Sequence, residues 1–96
     1  MPEYILLMHD DADTDDVGWE PYLRKLQQDG FFEGRSAMGD GICARKRGTT
    51  VPVTAHLCGY IRVRADSLDR AKTLLSGNPH FEASGTVEIR ELPRTE

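Results

Sequence analysis

VPVTAHLCGYIRVR, residues 51–64, alternates apolar and polar side chains without interruption, and its reading decides the fold. The odd positions are Val51, Val53, Ala55, Leu57, Gly59, Ile61 and Val63; the even ones are Pro52, Thr54, His56, Cys58, Tyr60, Arg62 and Arg64. Successive side chains of an extended chain point to opposite faces, so a period of two marks a strand with one buried face and one polar face. Gly59, in the middle of the pattern, predicts a bulge or bend, because a residue without a side chain weakens a regular ladder.

Upstream, Phe31 and Phe32 open a second strand that reaches about Met38, and GDGICARKRG (39–48), with its glycines and the triplet Arg45, Lys46 and Arg47, reads as a loop. Before them, Trp19, Tyr22, Leu23 and Leu26 recur at three- and four-residue spacing, one apolar stripe on a helix over residues 18–29. Pro21 suits the first turn, where its missing N–H has no partner to lose, and Gly30 supplies a left-handed stop. YILLM (4–8) is a short continuous apolar run, the pattern of a central strand covered on both faces. Downstream, Asp66 or Ser67 caps a helix whose Leu68, Ala71, Leu74 and Leu75 share a face, and Gly77 with Pro79 ends it. TVEIREL (86–92) alternates again as a final strand.

The order βαββαβ in 96 residues predicts an α+β domain of ferredoxin-like type, a four-stranded antiparallel sheet with two helices on one face. Its other face is then uncovered, and pairing two such sheets in a symmetric homodimer is the expected remedy. Composition agrees with one globular domain over 1–96: 39% hydrophobic and 29% charged residues, with 9 glycines and 5 prolines. Twelve basic against 16 acidic residues, a net charge of −4, argues against non-specific nucleic-acid binding, which rests on phosphate neutralisation. No apolar run is long enough to span a membrane and the opening residues lack a signal-peptide pattern, so a cytoplasmic protein without a membrane partner is expected. Cys43 and Cys58 read as free thiols, Cys58 as an inert one. The charge is lopsided: Glu3, Asp10, Asp11, Asp13, Asp15, Asp16 and Glu20 fall in residues 1–20 with no Lys or Arg.

If the odd positions of 51–64 pack on the helices, Thr54, His56, Cys58, Tyr60 and Arg62 look onto the uncovered face, joined by Glu88 and Arg90 of the final strand. An imidazole, a phenol, guanidinium groups and a carboxylate on one face suit a small anionic or phenolic ligand, with acid–base work by His56 and Tyr60. Arg62 and Arg35 are the candidate anion contacts, with His9 and Asp10 at the end of strand one and Asp40 after strand two. His80, beyond the second helix, is expected at the surface. The competing reading is a non-catalytic interaction or regulatory module whose sheet face serves dimerisation only, with the acidic first quarter as a partner surface.

No metal or cofactor is expected. Asp11, Asp13 and Asp15 start an EF-hand register, but Asp16 stands where the turning glycine belongs and Tyr22 where the bidentate glutamate belongs. Those acids better complement the positive N-terminal end of the first helix. The cysteines and histidines match no zinc spacing, and Gly39, Gly41 and Gly48 do not open a helix as a phosphate-binding loop would.

YILLMHDD (4–11), WEPYLRKLQQDG (19–30) and above all GYIRVRADSLDRAKTLLSGNPHFEASGTVEIREL (59–92) resemble the YCII-related family, including its branch named for an Asp-Gly-Pro-Phe motif. The resemblance covers nearly the whole chain and implies a dimeric α–β barrel. It also implies acid–base chemistry of lyase or isomerase type, since one relative is a dechlorinating lyase acting on a chlorinated hydroquinone and some members carry a His–Asp pair. The histidine of that pair lies early in the first helix, where this chain has Trp19, Glu20, Pro21 and Tyr22; Asp40 lies near the aspartate's place. Val51 to His56 replace the Asp-Gly-Pro-Phe stretch, and His56 supplies an imidazole from a different strand. Dimeric α–β barrels also host haem and flavin chemistry, and the fold alone assigns neither to this chain.

Overall fold

The computed structural model describes residues 1–13 and 18–93. Four strands, β1 (Glu3–His9), β2 (Phe32–Ala37), β3 (Leu57–Arg64) and β4 (Val87–Leu92), form one antiparallel sheet in the order β2-β3-β1-β4. Three helices, α1 (Trp19–Gln28), α2 (Leu68–Thr73) and α3 (Pro79–Glu82), complete an α+β fold. No helix among the described residues is long and apolar enough to cross a membrane.

Burial alternates along β1, where Tyr4, Leu6 and Met8 are buried while Ile5, Leu7 and His9 are half-buried. Leu6 lies between Ile61 of β3 and Ile89 of β4, so one aliphatic row crosses three strands on the helix side. Tyr22, Leu23 and Leu26 of α1 pack in the same core, as the stripe predicts, together with Ala71, Leu74 and Leu75. The Tyr22 hydroxyl donates to the carbonyl of Leu74 (2.8 Å), tying α1 to the turn after α2, and burial pushes its pKa up. α1 starts from Gly18 in the left-handed region, and Gly30 (φ 81°) follows its end. Ser67 caps α2 by accepting from the Arg70 N–H at 3.1 Å.

Three expectations are corrected. The third strand does not run from Val51: residues 51–56 are exposed and carry no ladder, and β3 begins only at Leu57. Alternation is necessary for a half-buried strand but does not supply a neighbour, and neither β1 nor β2 extends far enough to pair that stretch. Leu68, placed on the buried face of the second helix, is 53% exposed, because it stands in the first turn while Ala71, Leu74 and Leu75 face the core. The second helix ends before Gly77 (φ 87°), with Thr73 its last residue, but Pro79 is not its stop: Asn78-Pro79 starts α3, with the Asn78 side chain accepting from the Phe81 N–H (2.9 Å) and Pro79 at a first-turn position.

Two irregularities set which way side chains point. Between Met8 and His9 the β1–β3 register slips so that Cys58 is the extra residue, a bulge beside Gly59 of the kind its position predicts. A Cβ on Gly59 would come within 3.2 Å of the Ser36 carbonyl oxygen, so the neighbouring strand packs directly on its backbone. On β2 the slip lies between Phe32 and Gly34, where Gly34 takes φ 150°. Arg35 is thereby opposite Ile61 and faces the helix side, away from Tyr60 and Arg62.

In amide hydrogen exchange, residues 59–63 should be protected to the level of global unfolding, whereas Val53, Thr54 and Ala55 should exchange nearly freely. Protection of Val53 comparable with that of Ile61 would restore the long strand.

Candidate functional site

The open face of the sheet carries side chains in rows fixed by the register. Tyr60, Leu7 and Glu88 form one row across β3, β1 and β4, and Arg62, Ile5 and Arg90 form the next. At the end of the first row, His9 donates from Nε2 to Glu88 Oε1 at 3.1 Å, a pair separated by 79 residues in sequence. Arg90 donates to the other oxygen, Oε2, at 3.3 Å. The His9 bond and then the Arg90 bond hold the Glu88 carboxyl below its usual range. The His56 ring meets the His9 ring edge-on, centroids 4.7 Å apart, and Asp10 N donates to the His56 carbonyl at 2.6 Å. Two imidazoles, a carboxylate and a phenol thus surround a half-buried leucine.

The structure brings His9, His56 and Tyr60 onto this face and adds Glu88, which sequence parity already places there. Arg62 shares the face one row away, ion-paired to Glu3 at 3.2 Å and donating to the Glu33 carbonyl at 3.1 Å. Asp10 is exposed and contributes its backbone, Asp40 is exposed in the segment after β2, and Arg35 is on the opposite face. Thr54 lies outside the strand. Cys58, at the bulge, donates its thiol to the Met8 carbonyl (3.6 Å).

A second arrangement, on the helix side at the same end of the sheet, has no counterpart in the sequence reading. His80 is 2% exposed rather than at the surface, because α3 turns it inward. Gly85 leaves room for it: a Cβ there would fall 2.4 Å from the ring and 2.7 Å from the His80 carbonyl oxygen. Asp11 lies 3.8 Å from His80 Nε2 and accepts from Thr86 through both the hydroxyl (2.6 Å) and the N–H (2.7 Å). The Thr86 hydroxyl, then its N–H, lower the Asp11 pKa. Asp11 is therefore tied to the entry of β4; Asp15 and Asp16 of the acidic register lie outside the described residues. Among the described residues no group of three or more His, Cys, Asp or Glu is placed to hold a metal ion. A small cavity of about 130 Å³ lies near this end, with Trp19, Arg35, Ile61 and His80 in its wall.

The chain matches no protein-family model and no curated protein.

Gly85→Ala should lower stability by about 1–3 kcal/mol through overpacking against His80, read from urea unfolding, while Gly39→Ala, which meets nothing within 4 Å, should be close to neutral. The Asp11 pairing has a pH signature. A carboxyl whose folded pKa is depressed adds stability that is complete above its unfolded value, about 3.9, and is lost as pH falls through the folded value. The stability gap between wild type and Asp11→Asn should accordingly be constant near neutrality and close only below about pH 3.9. A gap that closed between pH 6 and 7 would instead trace the effect to a histidine.

Proposed function

We propose that this protein binds a small anionic or phenolic molecule on the open sheet face and performs acid–base chemistry of lyase or isomerase type there. The observation that carries the reading is the Glu88–His9–His56 cluster beside Leu7. A carboxylate bonded to one ring nitrogen fixes an imidazole's orientation and tautomer. With Nε2 of His9 engaged by Glu88, proton exchange with a ligand falls to Nδ1. His56 and Tyr60 are the adjoining proton donors or acceptors, so the acid–base role that the sequence assigns to the His56 imidazole is shared with His9. Leu7 and Ile5 offer an aromatic ring apolar contact, and Arg90 and Arg62 balance an anionic substituent.

The same reading includes a homodimer of ferredoxin-like subunits, a dimeric α–β barrel of the YCII-related kind. The antiparallel order β2-β3-β1-β4 supports it, as does a sheet face bearing apolar Ile5 and Leu7 without helix cover. A second sheet laid over that face would wall the shallow site into a cleft. Ile5 and Leu7 equally favour the second reading, in which the face serves dimerisation alone.

A titration with 4-hydroxybenzoate, followed by NMR of the histidine and tyrosine rings, separates the two. Saturable shifts at His9, His56 and Tyr60 with a Kd of about 1 mM or tighter are expected, weakened about tenfold by Glu88→Gln. A dimer that gives no shift on this face at saturating probe would leave dimerisation as the face's role.

A further inference from the structure

Residues 38–56 form an arm that leaves the sheet after β2 and returns at Leu57. Its root is tied down: Met38 N donates to the Cys58 carbonyl (3.0 Å), and the His56 carbonyl accepts from Asp10 N. Beyond the root the arm touches itself, with Arg45 donating to the Thr49 carbonyl (3.3 Å) and Gly41 lying against Val53. It carries apolar side chains into water: Ile42 is 90% exposed, Val51 65% and Val53 45%. Arg45, Lys46 and Arg47 are exposed among them. The Cα radius of gyration is 14.8 Å, against about 12.5 Å for a compact chain of this length. Exposed apolar groups on a projecting segment mark a contact surface rather than a solvated loop.

Charge and position identify what it contacts. The root is hydrogen-bonded to the acidic stretch after β1, where Asp10 and Asp13 are exposed. Among the described residues no ion pair joins the basic triplet to a carboxylate of its own chain. A two-fold axis sets a surface against its own copy, so a patch that contains both a basic arm and an acidic neighbour is complementary to itself. We propose that the arm grips a second copy of this chain: Arg45, Lys46 and Arg47 lie against Asp10 and Asp13 of that copy, reciprocally, while Ile42, Val51 and Val53 are covered between the two. The inference rests on the homodimer proposed above and adds the surface that selects it.

Sedimentation equilibrium tests it with two variants, Arg45→Glu/Lys46→Glu/Arg47→Glu and Asp10→Lys/Asp13→Lys, each checked for a wild-type circular dichroism spectrum. Each alone should weaken dimerisation by about tenfold or more, since like charges then face one another. An equimolar mixture should recover association close to wild type through heterodimers. Ile42→Ser/Val53→Ser, which leaves the charges in place, should also weaken the dimer. A dimer that resists all three variants overturns the arm's role while the homodimer stands, and a wild type that is monomeric at every concentration overturns both. Weakening without recovery in the mixture also overturns the pairing.

Discussion

Every feature described above depends on a core built on one side of a sheet. The row Ile61–Leu6–Ile89 places three aliphatic side chains from adjacent strands under the helices, and Leu6 and Ile61 are almost completely removed from water. Burial of that size, about 1.5–3 kcal/mol per side chain, locks the register of the central strands, because a slip of one residue would turn the whole set outward. The locked register in turn places Tyr60, Leu7 and Glu88 in line on the other face. The helix side supplies the stability, and the polar side inherits its geometry.

The two bulges show how such a sheet is edited. Without the extra residue at Glu33–Gly34, Arg35 would stand on the face of Tyr60 and Arg62; with it, the guanidinium belongs to the helix side and borders a different hollow. Without the extra Cys58, the stretch through His56 would keep the parity of β3. Instead the chain leaves the ladder there, and the His56 ring comes against the His9 ring. Each bulge gives up regular pairing at one point and turns the neighbouring side chains to new directions.

What the sequence discloses and what it hides divide along this line. The Trp19–Leu26 stripe, the 57–64 alternation and the Ser67 cap are local patterns, and each element stands where its pattern puts it. The open face of β3 and β4 follows from parity, so Tyr60, Arg62, Glu88 and Arg90 are legible as a group. The His9–Glu88 bond joins residues 79 apart and needs the pairing of β1 with β4, which no local period encodes. His80 is hidden because Gly77 with Pro79 reads as a stop, although Asn78 and Pro79 have the chemistry of a cap and a first-turn proline. Val51–Ala55 mislead for the opposite reason: a correct strand pattern without a neighbouring strand to pair.

The sheet is open at both sides, with β2 and β4 as its outer strands. Such borders are ready templates for uncontrolled strand-on-strand growth. Here they are studded with ions: Glu33 and Arg35 along one, Glu88, Arg90 and Glu91 along the other, and Glu33 is itself clasped to Arg64 of the neighbouring strand. Side chains of this kind oppose lateral stacking of further chains. The charged rims thereby oppose fibre-like growth of the sheet at its edges.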